Sequence, residues 1–185
     1  MGSMIAQIMA ATFPERLVSQ CLMMTTSGAP SLPRPSVEVM RVSAARPADP
    51  SDLPALQEWY FRYMRTLEGA GHRESDADLR ANIAALLARA YRPAGTARQT
   101  AAVLAAGDRT PLLGLIDVPT LVIHGDQDPL TRLECGQDVA RKIPGARIEI
   151  MKGMGHLLPT ALLGRVAEMI DAHARAAQHA PQAAL

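Results

Sequence analysis

The strongest constraint on the fold is an alternation of strand and helix patterns in the last third of the chain. Residues 119–125 form an apolar, β-branched run closed by a glycine, and residues 133–143 then carry apolar side chains at helical spacing. A second apolar run at 146–151 and a helical pattern at 160–174 follow. Because this alternation is typical of parallel sheets with right-handed crossovers, the sequence predicts an α/β fold.

The beginning of the chain adds one helix and one strand to this pattern. Residues 3–11 are apolar almost all the way round, which indicates a helix buried on most sides. Phe13 and Pro14 end that helix, because a residue before proline is driven out of helical backbone angles. The apolar segment 17–24 is predicted to be a strand covered on both faces, which gives three mostly parallel strands with flanking helices.

The middle of the chain contains helical patterns and no convincing strand. Predicted helices cover 52–67, a segment that opens at Ser75, and 93–106, which ends at Gly107. The aromatic residues at 59–63 are predicted to pack inside this helical insertion, and the alternative is that they line an apolar substrate pocket. The predicted divisions are the start of the sheet domain (1–35), the insertion (36–110), the end of the sheet domain (111–175) and a tail (176–185).

Composition and charge exclude several classes of partner. The chain of 185 residues has 19 Lys and Arg against 18 Asp and Glu, and only 3% aromatic residues, which is unlike a nucleic-acid-binding surface. No apolar run approaches the roughly 18 residues that span a bilayer, and no basic segment precedes the first apolar stretch. Cys21 and Cys135 match no metal-binding spacing and suit a reducing compartment. The sequence therefore predicts a cytoplasmic protein that binds neither nucleic acid nor membranes.

Polar residues follow both late strands, at the edge where parallel sheets hold their active sites. Asp126 and Asp128 come directly after the first of these strands, and Gly153-Met154-Gly155-His156 follows the second. A carboxylate there can hold one imidazole nitrogen and leave the other free to take a proton from a nucleophile. Each residue taken singly is more often structural, since an Asp in such a loop commonly forms a turn. Their order and shared location make His156 and one of the two aspartates candidate catalytic residues.

The segment 119–159 resembles the final third of an α/β-hydrolase, in the cap-bearing branch that includes esterases similar to anthracycline methyl esterases and proline iminopeptidases. Three strings carry the resemblance, namely Val-Pro-Thr-Leu-Val-Ile-His-Gly-Asp-Gln-Asp-Pro at 118–129, Ile-Pro-Gly-Ala-Arg at 143–147 and Gly-Met-Gly-His at 153–156. The resemblance implies that Asp128 is the triad acid and His156 the base, that Asp126 occupies a variable loop position, and that the insertion is the family's cap.

The same resemblance implies hydrolysis of a small or medium apolar ester, such as a polyketide-like methyl ester, through a serine acyl-enzyme without a cofactor or metal. Amide cleavage and cofactor-free peroxidase chemistry stay open, because the fold and the triad do not determine the substrate. A non-catalytic module that retains the cap and crevice for a ligand or a partner is the competing hypothesis from another class. Metal binding has little support, because no carboxylate–His motif accompanies His124, His156, His173 and His179.

The nucleophile is the part of the implied triad that the sequence does not contain. In this family the serine lies on a Gly-x-Ser-x-Gly elbow, and no such motif occurs in the chain. Met1-Gly2-Ser3-Met4-Ile5-Ala6-Gln7 is similar to the family string that begins one residue after the nucleophile. We therefore expect a hydrolase truncated just after its nucleophile, inactive by itself, and prone to self-association through an unpaired sheet edge. Ser3 is expected to cap the first helix rather than attack a substrate, and neither cysteine is well placed for attack.

Overall fold

A parallel three-stranded sheet forms the centre of the computed structural model, which describes residues 1–179. The strands β1 (Gln20–Met23), β2 (Thr120–Gly125) and β3 (Arg147–Met151) lie in the order β1-β2-β3. In the register of the sheet, Gln20 lies opposite Thr120 and Leu121 lies opposite Arg147. Both strand pairs are parallel, which confirms the predicted fold class.

Helices precede, interrupt and follow the strands. In chain order they are α1 (Gly2–Thr12), α2 (Val37–Ala44), α3 (Leu53–Leu67), α4 (Asp76–Ala90), α5 (Pro93–Ala106), α6 (Thr110–Leu113), α7 (Leu133–Lys142) and α8 (Leu163–His179). Short 3₁₀ helices lie at Pro14–Arg16 and Thr160–Leu162. None of the helices within residues 1–179 is long and apolar enough to cross a bilayer.

The core lies on both faces of β2, every residue of which is buried. Val122 belongs to an apolar cluster with Ala10 of α1 and Val139 of α7, whereas Leu121 and Ile123 belong to a second cluster, with Val166 of α8. Alternate residues of a strand point to opposite faces of the sheet, which accounts for this division. β2 is therefore the fixed central strand from which the Asp128 loop departs.

The helices α2 to α5 form the middle of the chain, and side-chain caps begin three of them. The Ser36 and Asp52 side chains accept hydrogen bonds from backbone N–H groups of α2 and α3. Ser75 begins α4, as the sequence predicts, and its Oγ accepts from the Asp78 N–H at 3.1 Å and donates to the Asp78 carboxylate at 2.6 Å. Gly107, with a φ of 56°, ends α5 in a conformation that favours glycine.

The aromatic cluster packs inside this helical region. Trp59 is buried, its indole N–H donates to the Val42 carbonyl oxygen at 2.8 Å, and its ring stacks on Tyr63 with centroids 5.3 Å apart. Leu79 and Ile83 of α4 belong to the same apolar cluster. The structure therefore favours internal packing over the alternative in which these rings line a substrate pocket.

Three elements differ from their predictions. β1 is shorter than segment 17–24, and only Gln20 and Leu22 of this strand are buried, so it is not covered equally on both faces. α1 is not buried on most sides, because it covers the sheet through one face while Ile5 is 56% exposed on another. α8 continues to His179, beyond the predicted end at 174, since residues 175–179 include the good helix formers Arg, Ala and Gln. The rest of the predicted tail, 180–185, lies outside the described residues.

Candidate active site

Asp128 lies in the loop after β2, and its side chain is completely buried. Its Oδ1 accepts hydrogen bonds from the backbone N–H groups of Leu130 at 2.9 Å and Thr131 at 2.8 Å. A carboxylate withdrawn from water needs such donors, because an unpaired buried charge is strongly disfavoured. The turn that follows β2 therefore fixes one oxygen of Asp128 and leaves Oδ2 available to a further donor.

His156 supplies that donor from the loop after β3. Its Nδ1 lies 2.7 Å from Asp128 Oδ2, and its side chain keeps 24% of its surface exposed. Because an ionised carboxylate can only accept, Nδ1 carries the proton and Nε2 is left with a free lone pair. The structure thus brings the two sequence-predicted site residues together in an arrangement that can accept a proton from a nucleophile.

Asp126, the alternative acid, has a different set of contacts. It is exposed, and its Oδ1 accepts a hydrogen bond from the Gly153 N–H at 2.7 Å. This bond holds the backbone of the loop that carries His156 and does not involve the imidazole. Asp128 rather than Asp126 is therefore the carboxylate that pairs with His156.

The His156 loop is also held by the end of α3, which sequence reasoning missed. The His156 N–H donates to the Leu67 carbonyl oxygen at 2.7 Å, and the Gly71 N–H donates to the Gly153 carbonyl oxygen at 3.1 Å. A Cβ atom at Gly155 would collide with the Leu67 oxygen, so only glycine allows this backbone approach. The glycine pairs at 69 and 71 and at 153 and 155 are the sequence signal that could have indicated it.

A cavity of about 490 Å³ opens beside His156. Its wall combines apolar and hydroxyl- or amide-bearing side chains from the N-terminus, the loop after β1, helix α5, the Asp128 loop and α7. Among them are Met1, Met24, Gln99, Val103, Leu130 and Cys135. Met1 and His156 therefore face the same space, although they are separated by most of the chain.

Other candidate nucleophiles in the chain are bound or protonated. Ser3 does not cap α1, because its hydroxyl donates to the Met23 carbonyl oxygen at 2.9 Å and accepts from the Met23 N–H at 3.0 Å. Burial raises the pKa of the Cys21 thiol to about 11 and also raises the pKa of Cys135. Since the thiolate is the reactive form of cysteine, both side chains are poor nucleophiles at neutral pH.

Three other histidines are engaged by backbone carbonyl groups. His124 Nε2 lies 2.7 Å from the Thr131 oxygen, and His173 Nε2 lies 3.1 Å from the Gln20 oxygen. His179 Nδ1 lies 2.7 Å from the Arg175 oxygen. Within the part of the chain that the structure describes, no group of three or more His, Cys, Asp or Glu side chains is arranged to hold a metal ion.

Comparison with solved structures identifies the architecture around this site. A meta-cleavage product hydrolase from Pseudomonas fluorescens IP01 superposes with a TM-score of 0.70 at 15% identity, over 95% of this chain and 62% of that one. An esterase from Thermogutta terrifontis superposes with a TM-score of 0.66 at 24% identity, over 95% of this chain and 62% of that one. The chain has the α/β-hydrolase fold. The chain spans about three fifths of the length of either structure.

Sequence comparison adds a match over a shorter segment of the chain. Rhodomycin D methylesterase from Streptomyces peucetius is 38% identical over 65 residues, which cover 35% of this chain and 22% of the methylesterase. The corresponding methylesterase from Streptomyces sp. strain C5 is 40% identical over 65 residues, with the same coverage of each chain. No family model matches the sequence.

Proposed function

We propose that Asp128 and His156 are the acid and the base of a serine-type carboxylic ester hydrolase. The observation that carries the proposal is the 2.7 Å contact between His156 Nδ1 and the buried carboxylate, with the imidazole bordering an apolar cavity. Asp128 would hold the Nδ1–H tautomer and stabilise the imidazolium that forms when Nε2 accepts a proton. The similarity to two methylesterases and to an esterase structure supports ester bonds as the target.

The proposed reaction follows the acyl-enzyme route. His156 Nε2 takes the proton of a serine hydroxyl as the serine oxygen bonds to the ester carbonyl carbon. The imidazolium then gives that proton to the departing alcohol as the ester C–O bond breaks. A water molecule then gives a proton to His156 Nε2 as its oxygen bonds to the acyl carbon. The imidazolium returns the proton to the serine oxygen as the acyl–serine bond breaks, which releases the carboxylic acid and restores the enzyme.

The serine of this reaction is proposed to come immediately before the position of Met1 in the complete enzyme. Met1 borders the same cavity as His156, and the residues from Met1 to Gln7 are similar to the family string that follows the nucleophile. Ser3 is bound to the backbone of Met23 and is not proposed as a substitute. The chain as given is therefore proposed to lack ester turnover.

A fluorophosphonate serine probe, read by peptide mass spectrometry, tests this assignment on the chain as given. The proposal expects no adduct on any serine. An adduct at Ser3 that disappears in His156→Ala would contradict it, because the pair would then serve a serine inside α1.

The proposed substrate class is a small or medium apolar ester. Met1, Met24, Val103 and Leu104 give the cavity wall an apolar surface, whereas Gln99 offers a polar group for orientation. The full-length enzyme should hydrolyse a methyl ester of an aromatic acid and leave an aminoacyl anilide intact. Cleavage of the anilide with no reaction of the ester would favour amide chemistry instead.

A ligand-binding module without turnover is the second candidate, and the observation that favours it is the open cavity beside His156. Calorimetric titration with the acid and the methyl ester of one aromatic compound distinguishes the two functions. Binding of either compound that is unchanged in His156→Ala would support the module.

A further inference from the structure

His124 is a buried histidine beside the proposed acid, and it has no part in the reaction described above. It lies in β2, and none of its surface is exposed. Its Nε2 lies 2.7 Å from the Thr131 carbonyl oxygen and 3.6 Å from Asp128 Oδ2. Its Nδ1 has no hydrogen-bond partner among residues 1–179.

These contacts determine which ring nitrogen carries the proton. A carbonyl oxygen can only accept a hydrogen bond, so Nε2 of His124 is the donor and Nδ1 is unprotonated. Nδ1 faces Gly136 of α7 so closely that a Cβ atom at position 136 would collide with it. A second proton on Nδ1 would be buried without an acceptor, and burial accordingly lowers the pKa of His124. The His124 ring is therefore neutral, and its one N–H group, at Nε2, donates to the Thr131 carbonyl oxygen.

Thr131 connects the His124 N–H group to Asp128 through its backbone. The carbonyl oxygen of Thr131 accepts from His124, and its N–H donates to Asp128 Oδ1 at 2.8 Å. Two hydrogen bonds to the Thr131 backbone thus hold the turn that contains Asp128. One comes from His124 in β2, and the other goes to the Asp128 carboxylate. If the first bond is lost, nothing else in the described chain bonds to the Thr131 carbonyl oxygen.

We propose that His124 is a positioning residue, whose Nε2–H holds Thr131 and thereby keeps Asp128 Oδ2 directed at His156 Nδ1. The inference rests on the proposed function for its catalytic meaning, whereas the geometry that it describes can be tested without turnover. A residue that only fills the core would contribute its volume, and the position of its donor would not matter.

Two substitutions separate donor position from volume. His124→Gln places an amide N–H close to the position of Nε2, whereas His124→Asn places it close to Nδ1, where Gly136 offers no acceptor. The readout is the tautomer of His156, measured in mildly alkaline solution from two-bond ¹H–¹⁵N spectra of the histidine rings. Asp128→Asn gives the reference for loss of the carboxylate partner, and Thr131→Ala, which keeps both backbone groups, is the matched control.

The inference expects wild-type, His124→Gln and Thr131→Ala chains to keep the Nδ1–H tautomer of His156. In His124→Asn, the ratio of the Nδ1–H to the Nε2–H tautomer should fall about fivefold, the effect of losing one ordinary hydrogen bond. Equal ratios in the Gln and Asn variants would overturn the inference.

The wild-type chain supplies a second test that does not depend on the folding of any variant. His124 itself should show the Nε2–H tautomer, and the Nδ1–H tautomer would overturn the inference. If the tautomers behave as expected and the complete enzyme hydrolyses no ester, the proposed function fails and the positioning role of His124 stands.

Discussion

The structure on the β3 side of β2 is held by many close contacts, whereas helix α1, on the β1 side, has an exposed outer surface. Towards β3, the loops that carry Asp128 and His156 are joined by side-chain and backbone hydrogen bonds and by glycines that meet another backbone. Towards β1, the outer surface of α1 exposes Ile5, Ile8 and Met9. The comparison shows that close contacts hold the loops of the acid–histidine pair, whereas no residue among 1–179 covers the outer surface of α1.

The largest effect is expected where a glycine lets two backbones meet. Gly155→Ala should destabilise the fold by about 3 kcal/mol, because its Cβ would overlap the Leu67 carbonyl oxygen and separate α3 from the His156 loop. The matched control is Gly164→Ala in α8, which has no atom within 4 Å of the new Cβ and should be neutral or stabilising. Urea unfolding measures both variants, and equal stability of the two would contradict the close approach.

A pair of apolar truncations tests the β1 side of the comparison. Leu22→Ala should cost about 3 kcal/mol, since Leu22 is fully buried in the cluster between β1, α1 and α7. At protein concentrations that keep the chain monomeric, Ile5→Ala should change the free energy of unfolding by less than about 0.5 kcal/mol, because Ile5 is 56% exposed. A large loss for Ile5→Ala would mean that this face of α1 is covered in solution.

The pH dependence of stability should reveal the buried neutral state of His124. Burial lowers its pKa from an ordinary value of 6.5, so the unfolded chain binds this proton more readily than the folded chain does. The contribution of neutral His124 to the free energy of unfolding is therefore complete above about pH 6.5. Below that pH the free energy of unfolding declines, by up to about 1.4 kcal/mol per pH unit. Urea titrations between pH 7.5 and 5.5 should show a smaller decline in His124→Gln, and identical slopes would contradict this origin.

Self-association is the smallest effect that the comparison predicts. Helix α1, whose outer surface is exposed and apolar, contacts β1, and the edge of β1 opposite β2 is unpaired among the described residues. Sedimentation velocity at increasing concentration should show dimers or larger species that Ile5→Glu weakens, whereas Leu104→Glu on α5 should not. A monomer at every concentration, or equal effects of both charges, would contradict association through this edge.

Local signals in the sequence predict most of the sheet and the pairing within the candidate site. The β-branched run at 119–125 and the cap at Ser75 each depend on neighbouring residues, and both have the expected structure. Asp128 and His156 are predictable because parallel strands bring their carboxyl ends to one edge of a sheet.

Contacts between distant segments are the part that local signals do not predict. The hydrogen bond from the His156 N–H to the Leu67 oxygen depends on how the helical region packs against the sheet. The spacing of apolar residues in the sequence does not predict that packing. Helix α1 is not buried on most sides as its sequence predicts, because an apolar pattern shows what a helix is able to bury and not which neighbours reach it. The proposed role of His124 depends on the hydrogen bond from its Nε2 to the Thr131 carbonyl oxygen, and the sequence does not show where that turn lies.

The central claim is that Asp128 and His156 activate a serine placed immediately before Met1, and labelling of such a serine tests it most directly. The chain is extended with Gly-Phe-Ser, or with Gly-Phe-Ala as the control, and its reaction with a fluorophosphonate probe is timed by peptide mass spectrometry. The added serine should be labelled at least about 100-fold faster than in the same extended chain carrying His156→Ala, the effect expected of general-base catalysis. An equal rate in the two extended chains would contradict the account.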